Sequence, residues 1–160
     1  MEPNSSSRPA PLGRLARVWA RHPVYFVTSC TRERRPILAA DSIHTLLRAE
    51  WHAAEARHGW LTGRYVIMPD HVHFFCCATP GAKPLSGFLQ RWKEWTAKSL
   101  VGAGLVAAPL WQHRFFDHVL RSEESYAEKW LYVRENPVRA RLVDRAEDWR
   151  YAGHIHFDEP

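Results

Sequence analysis

Long apolar runs are what this sequence most plainly lacks. No segment approaches the ~18 apolar residues that a membrane-crossing helix requires. The opening stretch, MEPNSSSRPAPLGRLARVWARHP, has no continuous apolar segment of the secretory kind. A cytoplasmic protein is the expectation. Cysteine is scarce: Cys30, Cys76 and Cys77 are the three present, an odd number with one adjacent pair. Adjacent cysteines seldom bridge each other, and no CxxC spacing exists for a thiolate metal site. The three are read as small buried hydrophobes. No internal repeat is visible.

What is present suits one globular domain. At 160 residues the chain can bury one real core but not two comfortable ones. Hydrophobic residues make up 46% and charged residues 24%, the balance of an ordinary water-soluble fold. Eight tryptophans are many, so some are expected to stack on something other than core. The net charge of +5 suits a polyanionic partner, nucleic acid before an anionic membrane. The arginines cluster as Arg32, Arg34 and Arg35, then as Arg134, Arg139, Arg141, Arg145 and Arg150. Such clusters are either a solvated face or a polyanion-binding one.

Patterning divides the chain into a tail and a domain. Residues 1–21, rich in Ser, Pro, Ala and Arg, read as a flexible basic tail, with room for a short helix near Leu15–Trp19. Residues 22–157 form the domain. VYFVTSCT, residues 24–31, is β-branched and aromatic, hence a strand. A helix follows, capped by Asp41 or Ser42, with Ile43, Leu46, Leu47 and Trp51 on one face and Gly59 as its stop. WLTGRYVIM and HVHFFCCA read as two strands joined by a Pro69-Asp70 turn. Leu85, Phe88, Leu89, Trp92 and Trp95 mark a second helix to about Leu100, with Arg91, Lys93 and Lys98 away from most of that stripe. HRFFDHVLR, residues 113–121, is a fourth strand. Ser122 or Ser125 then caps a third helix, Ser125 and Glu128 fitting a capping box. Pro137 ends that helix near Asn136. The order β-α-β-β-α-β-α is that of a split βαβ, ferredoxin-like α+β sandwich. It implies a four- or five-stranded, mainly antiparallel sheet with helices packed on it and an extra C-terminal helix.

Two features carry chemistry. In YVIMPDHVHFFCC, His71 and His73 alternate with Val72, so both imidazoles leave the same face of their strand. Two residues span roughly 7 Å, close enough for both rings to bend toward one ion. The pair is either a cation site or two half-buried histidines satisfied by hydrogen bonds. In SYAEKWLYVRENPVRARLV, Tyr126, Trp130 and Val133 share a helical face, while Tyr132 points elsewhere. Its neighbours at three and four residues are Glu128, Lys129, Glu135 and Asn136. Tyr132 is therefore either a surface tyrosine or a nucleophile with the Asn136 amide one turn away. Asp117 and His118 alternate to opposite faces, which argues against a shared role.

Taken together, YVIMPDHVHFF, LWQHRFFDHVLRSEESY and YVRENPVRARLVDRAEDWRYAG resemble the REP-associated tyrosine transposases, within the single-tyrosine HUH family. The resemblance runs from about Pro23 to Gly153. It implies that His71, His73 and Asn136 hold a divalent metal ion, Mg²⁺ or Mn²⁺, and that Tyr132 is the catalytic nucleophile. Softness admits Zn²⁺ as well. It implies a single-stranded or hairpin DNA substrate, a 5′-phosphotyrosyl intermediate, and a monomer or homodimer. Arg141 departs from the pattern, where the family usually has glycine. Arg32, Arg34, Arg35, Arg139, Arg145 and Arg150 are the candidate DNA-backbone contacts. Trp92, Trp95, Trp111 and Trp149 are candidates for base stacking. Rival readings are a non-catalytic nucleic-acid binder on the same sheet, and a small metallohydrolase using the histidines with Asp70 or Asp117.

Overall fold

The computed structural model describes residues 23–158, so the expected tail over residues 1–21 lies outside them. Five strands form one antiparallel sheet: β1 (Val24–Cys30), β2 (Trp60–Met68), β3 (His71–Ala78), β4 (Phe116–Leu120) and β5 (Ala152–His154). Their spatial order is β4-β1-β3-β2-β5. β3 lies between β1 and β2 and runs antiparallel to both, the split βαβ arrangement. β5 extends the sheet by pairing with β2. No family of polar residues marks β5 in advance; it is a three-residue strand, AGH, held by its neighbour rather than by its own propensity.

The two sheet faces are covered differently. Helices α1 (Asp41–His58) and α2 (Leu85–Gly102) pack on one face. Ile43, Leu47, Trp51, Ala54 and His58 are the buried stripe of α1, spaced by three and four. Trp51 stacks on Trp92 of α2 with ring centroids 5.6 Å apart, and both rings press on Phe74 of β3. The opposite face carries Val24, Phe26, Val66, Phe75 and Cys77. Helix α3 (Glu123–Arg134) covers it with Tyr126 and Val133. A short helix α4 (Asn136–Arg139) follows, with Pro137 in its first turn, where a missing N–H costs nothing. All three cysteines are buried thiols.

Local details differ from the sequence reading for physical reasons. The N-cap of α1 is Ala40, not Asp41 or Ser42; the Asp41 carboxylate instead accepts from the Tyr151 hydroxyl at 3.0 Å. Gly59 ends α1 as expected, in the left-handed region at φ 77°. Ser122, not Ser125, caps α3, accepting from the Ser125 N–H at 3.1 Å. Lys93 is buried rather than solvent-facing. Its ammonium donates to the carbonyls of Gln112 and Arg114 at 2.7 and 2.8 Å, and burial lowers its pKa to about 8. Those carbonyls turn toward the lysine, so β4 begins at Phe116 instead of His113. Arg141 sits at φ 58° just past α4. Its N–H bonds the Val138 carbonyl and the Leu142 N–H bonds that of Pro137, the Schellman pattern that favours glycine.

Candidate active site

The site is built by strand register. His71 and His73 share the β3 face that also bears Phe75 and Cys77, which is the face α3 covers. Across the sheet His73 is level with Thr28 of β1, and Thr28 with Phe116 of β4; one row on, Phe75 is level with Phe26 and Phe26 with His118. Both histidines are half-buried, at the end of the sheet face beyond the main contacts of α3.

Each imidazole is held at its Nδ1. His71 Nδ1 lies 2.7 Å from Asp70 Oδ1, so it carries the proton and donates. Its Nε2 is then a lone pair. The other Asp70 oxygen accepts from Arg34 Nε at 2.9 Å. Burial works to raise the Asp70 carboxyl, but the bonds and charges of His71 and Arg34 outweigh it and hold it below the usual carboxylate range. His73 Nδ1 lies 2.8 Å from the Thr28 hydroxyl, and its ring stacks on Phe26 at 5.2 Å. Burial, followed by the charges of His71 and Lys129, depresses His73 to about 3. Burial also lowers His71, against the pull of Asp70. Both rings are therefore neutral near pH 7, the form that ligates metal.

The two Nε2 atoms approach to 3.1 Å. Adjacent ligands held at about 2.1 Å from one ion stand roughly 3 Å apart, so the pair fits a divalent cation. Among the described residues no third His, Cys, Asp or Glu completes a cluster. The third ligand must come from an amide, solvent or substrate.

Helix α3 presents the phenol. Tyr126 seats the helix, its ring 4.4 Å from that of Phe75. Lys129 places its ammonium 5.1 Å above the Phe26 ring, which in turn stacks on His73. One turn further, Tyr132 is 63% exposed. It lines a cleft of about 290 Å³ with Lys129, Glu128 and Ser125 of α3 and with His118 and Leu120 of β4. The Arg139 guanidinium lies 4.1 Å from the Tyr132 ring centroid and bonds both the Tyr132 carbonyl and the Asn136 amide oxygen. Among the described residues neither the Tyr132 hydroxyl nor the Asn136 amide hydrogen-bonds to an imidazole. His71, His73 and the helix bearing Tyr132 thus share one sheet face, while Asn136, in α4, is turned to Arg139.

The arginines separate. Arg34 belongs to the Asp70–His71 chain and Arg139 to Tyr132 and Asn136. Arg35 donates to the carbonyls of Ala107 and Pro109. Arg145 pairs with Asp148, and Arg150 with Asp41. Arg32 is exposed at the start of the 3₁₀ turn, Arg32–Arg34, that follows β1. Trp92 and Trp111 are core, Trp149 donates its indole N–H to the Ile67 carbonyl, and Trp95 lies 40% exposed under Arg57. Sequence reasoning missed Thr28, Lys129 and the bracing role of Arg34. Cross-strand register brings Thr28 to His73, and the packing of α3 brings Lys129 over Phe26 beside it; the Pro-Asp-His string was the one local signal for Asp70.

The fold and site define an α+β, ferredoxin-like domain with paired imidazoles on an inner strand and a tyrosine-bearing helix on the same face. No protein-family model matches the chain. It is 25% identical over 141 residues to the REP-associated tyrosine transposase of Escherichia coli K12, covering 88% of this chain and 82% of that protein. A relative from Haemophilus influenzae, 25% identical over 144 residues (84% of this chain, 81% of that protein), bears the same family name there as an inference. The solved structure of a REP-associated tyrosine transposase bound to a REP hairpin superposes with a TM-score of 0.69 at 23% identity, over 81% of this chain and 75% of that one. The chain is thus similar in sequence and fold to REP-associated tyrosine transposases, the family its motifs resemble. Among the described residues no helix is long and apolar enough to cross a membrane.

Proposed function

We propose that the chain is a metal-dependent single-stranded DNA endonuclease and strand transferase, acting on hairpin DNA of the REP type in transposition or recombination. The observation that carries this reading is the shared face: the imidazole pair and the Tyr132 helix lie on one side of the sheet, joined through the Lys129–Phe26–His73 stack. Relatives named as tyrosine transposases, one of them seen with a REP hairpin, support DNA as substrate.

The Tyr132 oxygen attacks a DNA phosphodiester. An O–P bond forms to tyrosine, the bond from phosphorus to the 3′ oxygen breaks, and that oxygen leaves as a 3′-hydroxyl after taking up a proton. The phenol proton goes to solvent. The phosphoester is conserved in the 5′-phosphotyrosyl product, so rejoining to a 3′-hydroxyl requires no nucleotide triphosphate. A phenol of pKa about 10 is a poor nucleophile at neutral pH. His71 and His73 would hold the Mg²⁺ or Mn²⁺ ion, with Asn136 as third ligand once Arg139 releases its amide. Bound there, the ion would supply charge neutralisation at a phosphate oxygen. Lys129 and Arg139 add positive charge beside the phenol, and Asp70 and Thr28 fix the rings.

The test is incubation with a hairpin oligonucleotide bearing single-stranded flanks and Mn²⁺, followed by a denaturing gel. Wild type yields a covalent protein–DNA species, mapped to the peptide containing Tyr132. Tyr132→Phe, a change at an exposed ring, binds with unchanged affinity and yields none. Binding without any adduct in wild type returns the non-catalytic reading; cleavage without an adduct returns the hydrolase.

A further inference from the structure

Phe116 is 66% exposed, more than any other large hydrophobic among the described residues. A phenylalanine left in water forgoes the stabilisation of burial, and nothing in the fold requires an aromatic there. β4 is the edge strand beside β1, and its residues before Leu120 are all exposed. Phe116 could be any polar residue as far as the core is concerned.

Its position is specific. Phe116 is level with Thr28, and Thr28 with His73, whose ring it holds. Two strand spacings, about 10 Å, separate the Phe116 backbone from that of His73. Both side chains leave the same face. Two residues further along that face, His118 enters the cleft shared with Lys129 and Tyr132. An exposed ring thus stands beside the imidazole pair, with the nucleophile's cleft adjoining it. The charges on its face are mainly cationic: Lys129 and Arg139 on the helical side and exposed Arg114 before the strand, against Glu128 in the cleft, while exposed Asp117 next to it leaves the other face of β4. Such a rim suits the backbone of an unpaired polynucleotide, whose bases offer flat faces to an exposed ring.

We propose that Phe116 is a stacking platform for an unpaired base of the DNA strand, adjacent to the phosphate that Tyr132 attacks. This rests on the DNA reading above. The hairpin stem would be gripped elsewhere, and Phe116 would position the single-stranded flank.

The test compares the full chain with Phe116→Ala and Phe116→Trp variants, on a hairpin with single-stranded flanks and on the same hairpin without flanks. The flank carries 2-aminopurine at successive positions, whose fluorescence falls on stacking. Wild type quenches the probe at one position. Phe116→Ala removes that quenching and weakens flanked-hairpin binding roughly tenfold, a typical loss for one stacked base. It leaves binding of the unflanked hairpin and the melting temperature unchanged. Phe116→Trp restores both quenching and affinity. Equal affinity and equal quenching in wild type and Phe116→Ala overturn the platform while leaving the DNA reading intact. A wild type that binds neither oligonucleotide overturns the DNA reading, and the platform falls with it.

Discussion

Arg141 carries an avoidable cost. At φ 58° its Cβ crowds the neighbouring backbone, which costs roughly 1–2 kcal/mol for a residue other than glycine. Part of that is returned by the freedom glycine gains on unfolding. Arg141→Gly should therefore stabilise the fold by about 1 kcal/mol, raising the melting temperature by about 2–4 °C. Arg141→Ala should not. A calorimetric scan showing no gain for glycine over alanine would refute the strain account. Asp70 poses the opposite case, a residue whose loss should show in metal binding. By fixing the His71 proton at Nδ1 it leaves Nε2 free. Loss of such a carboxylate typically costs 10–100-fold in metal affinity. Asp70→Ala should weaken Mn²⁺ binding by about that factor in a calorimetric titration, and Asp70→Asn by less, since the amide oxygen still accepts. Equal affinity in all three proteins would remove Asp70 from the site.

Among elements, α3 is the one whose seating decides function. A 12-residue helix is marginal alone in water. Its place depends on Tyr126 against Phe75 and on Val133, both buried. Tyr126→Ala should destabilise the protein by about 3 kcal/mol or more, speed amide exchange across α3, and cut adduct formation although Tyr132 is untouched. Adduct formation at the wild-type rate would mean the helix holds its position by other contacts. The strands and helices that were legible beforehand are those that bury a periodic face: VYFVTSC, the β2–β3 hairpin, and the Ile43–Leu47–Trp51 and Phe88–Trp92 stripes. β5 was not, because three small or polar residues carry no period. The start of β4 was misplaced because the Lys93 ammonium claims backbone carbonyls from twenty residues away, which no local pattern records. The same division holds in the site. His71, His73 and Tyr132 stand out by spacing, whereas Thr28 and Lys129 acquire their place only when the sheet and α3 assemble.

At the scale of the whole molecule, the net charge of +5 overstates the surface free to meet a polyanion. Arg34, Arg145 and Arg150 each pair with a carboxylate. Histidine burial sets a second molecular property, the response to acid. His44, His58, His71, His73 and His156 all have pKa values below the usual 6.5. Burial is the first cause for each, aided by Arg48 at His44 and by Lys83 and Arg57 at His58, and opposed by Glu55 at His156. Above about pH 6.5 neither folded nor unfolded chain protonates these rings, so they leave stability independent of pH. Below 6.5 the unfolded chain takes up protons that the folded one refuses, and stability falls as pH falls until the folded pKa values are reached. The melting temperature should be nearly level just above pH 7, before Lys93, lowered to about 8, begins to titrate, and should drop steadily from about pH 6.5 to about 5, above the midpoints of ordinary carboxylates. Replacing His58, whose Nδ1 is buried without a hydrogen-bond partner among the described residues, by glutamine should make that slope shallower. A melting temperature as high at pH 5 as at pH 7 would show that these imidazoles protonate freely in the folded state, and that the packing around them opens to water.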